Sequence, residues 1–206
     1  MYGKNLNISW KEGSASMRNV HILVFDSGVD ASLLRSIIEN AGASATITRL
    51  EKGSALSERV PRLSPDDILV ILGPSDDQDP VHSDQLEFVS FLQALIPLIS
   101  LRNVLVMNLS SAGDEPGLAH MFLARGAQYY IGPLVPCDSN TLLRYAREFF
   151  SLYLTMGGDV WQAHKQANRG DCNFALYPSS LPESAPSGQF HVATPEEMRS
   201  RKKTSS

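Results

Sequence analysis

The sequence predicts an α/β protein: a doubly wound, mostly parallel six-stranded sheet with helices on both faces. Three observations carry that expectation. Short β-branched apolar runs alternate with longer stretches of helical periodicity. The strongest runs show no polar alternation, so both faces of those strands are covered, as in parallel sheets. Asp, Gly and Pro stand between the runs, where helices start and stop. Crossovers between parallel strands are right-handed, which gives the doubly wound form.

The first strand is Val20 to Asp26, VHILVFD. Ser27 to Asp30 is a turn with helix-capping residues. Leu33, Leu34, Ile37, Ile38 and Ala41 then repeat at helical spacing, and Gly42 ends that helix. Ala45 to Leu50 is a weaker strand with alternating threonines. Asp67 to Gly73, DILVILG, is a third strand. His82 to Leu98 reads as a helix whose last turn Pro97 disturbs. Asn103 to Leu109 is the fourth strand, Gly117 to Arg125 a short helix, and Gln128 to Ile131 the fifth strand. A long helix starts near Asp138, a good N-cap. Leu142, Ala146, Phe149 and Tyr153 form its stripe, with Leu143 and Phe150 alongside. Gly157 and Gly158 stop it. Asp159 caps the next helix, with Gln162 at the capping-box position. Asn173 to Tyr177, NFALY, is the closing strand.

Residues 1–18 read as a flexible arm, 19–178 as one α/β domain and 179–206 as a disordered tail rich in Ser, Pro and Gly. Within the tail, Thr194-Pro195-Glu196-Glu197 is a capping box, and a short helix near 195–203 is expected. A chain of 206 residues can bury a core without metals or disulfides. A net charge of −4 and a pI near 5.7 argue against nucleic-acid binding, which needs a basic face. No apolar run reaches the roughly 18 residues of a membrane span. Cys137 and Cys172 lie far apart, so neither a disulfide framework nor a zinc site is expected, and a reducing cytoplasm is the simplest setting.

In such sheets functional residues gather beyond the carboxyl ends of the strands. That directs attention to Ser27–Asp30, Pro74–Val81 and Ser110–Pro116. The stretch after the fourth strand carries a serial resemblance. MFLARGA (121–127), LVPCD (134–138), GGDVWQAHKQA (157–167) and FALY (174–177) follow one another in the order of the C-terminal half of the CHAT domain. CHAT domains are a caspase-like cysteine protease family. The match is ungapped from about Met121 to Asn168 and looser from Asp67 to Tyr177. It implies a caspase-like sandwich.

The resemblance also implies where a catalytic pair would sit. In that family a His-Gly pair follows the third strand, and the nucleophilic Cys follows the next core strand. Here the slots hold Pro74 and Ser110. Proline has no titratable group, and a serine hydroxyl needs a base to become nucleophilic. Loss of either member of a nucleophile–base unit removes most of the catalysis. The chain is therefore expected to be a non-enzymatic, catalytically inactive caspase-like domain. It would work as a regulatory or scaffolding partner of another protein, such as an active caspase-like protease or its substrate, and homo- or hetero-oligomers are compatible with that role.

Other signals are weaker. His82 is the only nearby base for a rewired Ser110, and it reads more readily as a polar helix-start residue. Cys137 precedes a helix N-terminus that would favour a thiolate, yet a lone Cys is commonly a packed apolar residue. Asp76, Asp77 and Asp79 could hold a divalent cation but lack the full calcium-loop pattern, so a solvated loop is expected and no metal or cofactor is assigned. Trp161 suits core or rim packing or, if exposed, an interface anchor. The first half also resembles a response-regulator receiver domain, with Asp26 as one acid. Its third strand ends in Gly73-Pro74 instead of Asp, and Gly132-Pro133 stands where Lys-Pro is expected.

Overall fold

A computed structural model describes residues 18–25, 29–50, 59–75, 82–111, 116–155, 157–169 and 173–180. The expected arm up to residue 17, the tail beyond 180 and its short helix lie outside the described residues. Six strands form one sheet: β1 (Asn19–Val24), β2 (Ser44–Arg49), β3 (Ile68–Leu72), β4 (Leu105–Leu109), β5 (Tyr129–Pro133) and β6 (Phe174–Pro178). Their spatial order is β2-β1-β3-β4-β5-β6. The first five are parallel, and β6 runs antiparallel to β5. The α/β class is as the sequence predicts. β3 and β4 are buried along their whole length because helices cover both faces.

The helices are α1 (Ala31–Asn40), α2 (His82–Leu95), α3 (Pro116–Ala124), α4 (Ser139–Thr155) and α5 (Val160–Ala167). Local chemistry sets their ends. The Asp30 carboxylate accepts the N–H groups of Ser32 and Leu33. Asp138 accepts from Thr141, and Asp159 from Gln162. Pro97 converts the end of α2 into a single 3-10 turn at Ile96–Leu98, because its ring cannot continue the α-helical ladder.

One core lies under α1, α4 and α5, the other under α2 and α3. Along α4, Leu142, Tyr145, Ala146, Phe149, Phe150 and Tyr153 are buried. Tyr145 belongs to that stripe, though the sequence pattern omits it. Its ring stacks on Phe174 of β6 with centroids 3.7 Å apart, a contact that exists only once β6 joins the sheet. Leu33, one of the apolar residues at helical spacing, is 42% exposed. α1 buries Ala31, Leu34 and Ile38, and this narrower stripe turns Leu33 outward. Past α4, Gly158 adopts φ +84°, and a Cβ there would collide with the Arg18 guanidinium. That guanidinium lies over the Tyr153 ring, 4.5 Å from its centroid.

Candidate functional site

The carboxyl ends of β3 and β4 place Pro74 and Ser110 in adjacent loops. The Gly73 N–H donates to the Leu109 carbonyl at 3.3 Å, which carries the pairing one residue past the strands. The Pro74 carbonyl then accepts twice from Ser111, from its N–H at 2.8 Å and its hydroxyl at 3.0 Å. The two loops are therefore clamped together at the level where a catalytic pair would need a gap for substrate.

Ser110 is fully enclosed. Its hydroxyl donates to the Asn108 side-chain carbonyl at 2.9 Å, and the Asn108 amide donates to the Tyr130 hydroxyl at 3.0 Å. This buried chain is neutral. An amide oxygen cannot take up a proton near neutral pH, so it cannot activate the serine as a histidine would. Burial without these bonds would cost about 1–3 kcal/mol for each polar group. The arrangement is thus one that satisfies buried polar atoms.

Packing closes the same edge from the side of α2. A Cβ on Gly73 would lie 2.4 Å from Cζ of Phe88. The Phe88 ring occupies the space a side chain at residue 73 would need, and tilts against Phe25 at 5.6 Å between centroids. Phe25 in turn stacks on Phe91 at 4.6 Å. Ser75 is buried beside the clamp, and its hydroxyl has no hydrogen-bond partner.

The other candidates fall elsewhere. His82 is the first residue of α2, and its side chain, like Asp76, Asp77 and Asp79, lies outside the described residues. Cys137 is buried within the core under α1, α4 and α5, and its thiol donates to the Val135 carbonyl at 3.2 Å. Trp161 is half-buried and meets Tyr129 edge-on at 6.4 Å, so it packs at the rim. Of the histidines with described side chains, His21 sits at the amino edge, its Nε2 3.4 Å from Asp67. His120 is exposed on α3. His164 is buried under β6, with Nδ1 2.7 Å from the Tyr145 hydroxyl. Burial holds His164 down to a pKa of about 4, so it is neutral near pH 7.

Asn108 is the site residue that the sequence reading passes over, whereas Ser75 and Ser111 lie in loops it marks, Pro74–Val81 and Ser110–Pro116, without being singled out. One signal was present: Asn108 is the lone polar residue in the run Leu105–Leu109, and a buried amide requires partners. Among the described residues, no group of three or more His, Cys, Asp or Glu is placed to hold a metal ion. No described helix is long and apolar enough to cross a membrane.

No protein-family model matches the chain, and no curated protein matches it. Among solved structures it is similar to a protein of Bacteroides thetaiotaomicron described provisionally as a phosphomethylpyrimidine kinase. The TM-score is 0.43 at 11% identity, over 75% of this chain and 84% of that one. A likeness at that level carries no inference about chemistry.

Proposed function

We propose that this chain is a catalytically inactive caspase-like domain that acts by binding another protein. The observation that supports this most is the fate of Ser110. Its hydroxyl is enclosed and donates to the Asn108 amide oxygen, while the neighbouring slot is Pro74, whose carbonyl is held by Ser111. A nucleophile must reach its substrate and hand its proton to a base. Ser110 is arranged for neither. The partner class, an active caspase-like protease or a substrate of one, comes from the sequence resemblance and rests on fold analogy.

The sheet supports this reading over a receiver domain. β6 forms a register of paired residues from Tyr129–Pro178 to Pro133–Phe174, and Phe174 stacks in the core. The last segments are thus part of the sheet and not an appendage to a five-stranded unit.

Activity-based labelling tests the proposal. The folded protein is incubated with a fluorophosphonate and, separately, with iodoacetamide, and the modified residues are mapped by mass spectrometry. No labelling of Ser110, and labelling of Cys137 only on unfolding, is the expected result. Stoichiometric, pH-dependent labelling of native Ser110 or Cys137 overturns it.

A further inference from the structure

β6 lies at the edge of the sheet, where outward-pointing N–H and C=O groups invite another strand. The ladder shows which residues face outward. The Leu134 N–H donates to the Asn173 carbonyl, and the Ser179 N–H donates to the Gln128 carbonyl. In an antiparallel pair, hydrogen-bonding direction alternates along each strand. Asn173, Ala175, Tyr177 and Ser179 therefore turn their backbone groups toward β5. Phe174, Leu176 and Pro178 turn theirs away from it.

Two of these three outward positions are closed. The Phe174 N–H donates to Oδ1 of Asn168 at 2.9 Å, and Nδ2 of Asn168 donates to the Phe174 carbonyl at 3.0 Å. One primary amide thus meets both backbone groups of Phe174, as a residue of a neighbouring strand would. Pro178 has no N–H to give, a common device of edge strands. Leu176 remains between them.

We propose that Asn168 is a plug that closes the β6 edge against a second copy of this chain. The edge is its own antiparallel complement. A two-fold axis through Leu176 sets each copy's Phe174 opposite the other's Pro178 and each Leu176 opposite its mate, the isologous arrangement of a symmetric dimer. With Asn168 in place, Phe174 cannot take part, and only the Leu176 pair could form. Removing the amide frees the Phe174 N–H for the Pro178 carbonyl of the other copy and adds one hydrogen bond at each end of the Leu176 pair, while the Phe174 carbonyl gains no donor because Pro178 has no N–H. The inference stands apart from the pseudoprotease reading, since it concerns backbone pairing alone.

The test compares the full chain with Asn168→Ala by sedimentation velocity and by hydrogen exchange at Leu176, over a hundredfold range of protein concentration. In the native protein, exchange at the Leu176 amide is expected to be independent of concentration. In Asn168→Ala, mass should rise from 22.6 kDa toward twice that value, and Leu176 should become at least tenfold more protected at the highest concentration. A merely structural role for Asn168 would instead lower protection at Ala175 and Tyr177, whose N–H groups face β5, at every concentration and leave Leu176 unchanged. Asn168→Ser, which keeps a small polar residue at the end of α5, gives the same readout if the alanine variant fails to fold. Concentration-dependent protection of Leu176 in the native protein overturns the proposal, as does a folded variant without it.

Discussion

Among the described residues, two groups of linked polar side chains lie in the core and differ in kind. At the carboxyl edge of β3 and β4, Ser110, Asn108 and Tyr130 form a chain of a hydroxyl, an amide and a phenol. Beneath β6, the Tyr145 hydroxyl meets the His164 imidazole at 2.7 Å. The first lies where α/β proteins place their chemistry yet contains nothing that titrates near neutral pH. The second contains an imidazole, but it is enclosed between α4, α5 and β6, away from that edge. A base in the core does not make a reaction centre, and neither does a serine at a strand end. The site needs both, in reach of each other and of substrate.

The largest expected effect comes from the titratable member. Burial lowers the His164 pKa from 6.5 to about 4. Between those values the unfolded chain binds a proton that the folded protein resists, so stability falls as pH drops through that window. The loss levels off below about pH 4, after about 3 kcal/mol. Urea unfolding at steps from pH 7 to pH 4 measures it. His164→Gln should flatten that part of the profile, whereas Ser110→Ala should leave its slope unchanged. Equal slopes in native and His164→Gln proteins would erase the contrast.

Crowding at the carboxyl edge gives the next effect. Gly73→Ala sets a methyl group into the Phe88 ring, and overpacking of that sort costs about 1–3 kcal/mol. The companion variant Gly73→Ala/Phe88→Leu should recover part of the loss, which thermal melts would register. A smaller change of opposite sign is expected at Ser75. Its buried hydroxyl has no partner, so Ser75→Ala should raise stability by about 1 kcal/mol. A decrease there would mean that the hydroxyl is satisfied after all.

The smallest expected effect is none. Ser110→Cys supplies the side chain that the resemblance implies, but Pro74 still offers no base and the position is enclosed. Incubation with a fluorogenic peptide library should give no hydrolysis above the native background. Measurable turnover by this single variant would place the edge nearer to a working site than its packing indicates.

Much of the fold was legible because its signals are local. The runs around Val20–Val24 and Ile68–Leu72, the caps Asp30, Asp138 and Asp159, and the disturbance at Pro97 each involve residues within one turn or one strand. The burial of α1 is not legible in its sequence, because five apolar residues share the helix and only the packed neighbours decide which of them are covered. The candidate site was legible in position but not in state. Pro74 and Ser110 mark the strand ends in sequence, whereas the Ser111 clamp and the Asn108–Tyr130 bond join residues on different strands.

The amino-acid order by itself determined the type and succession of strands and helices, and that Pro74 cannot act as a base, since side-chain chemistry and backbone propensity travel with the residue. Only the tertiary structure decided that β6 closes the sheet antiparallel to β5, that Ser110 is walled in, and that Asn168 meets Phe174. Those outcomes depend on contacts between distant segments, and burial and hydrogen-bond partners exist only after the segments have met.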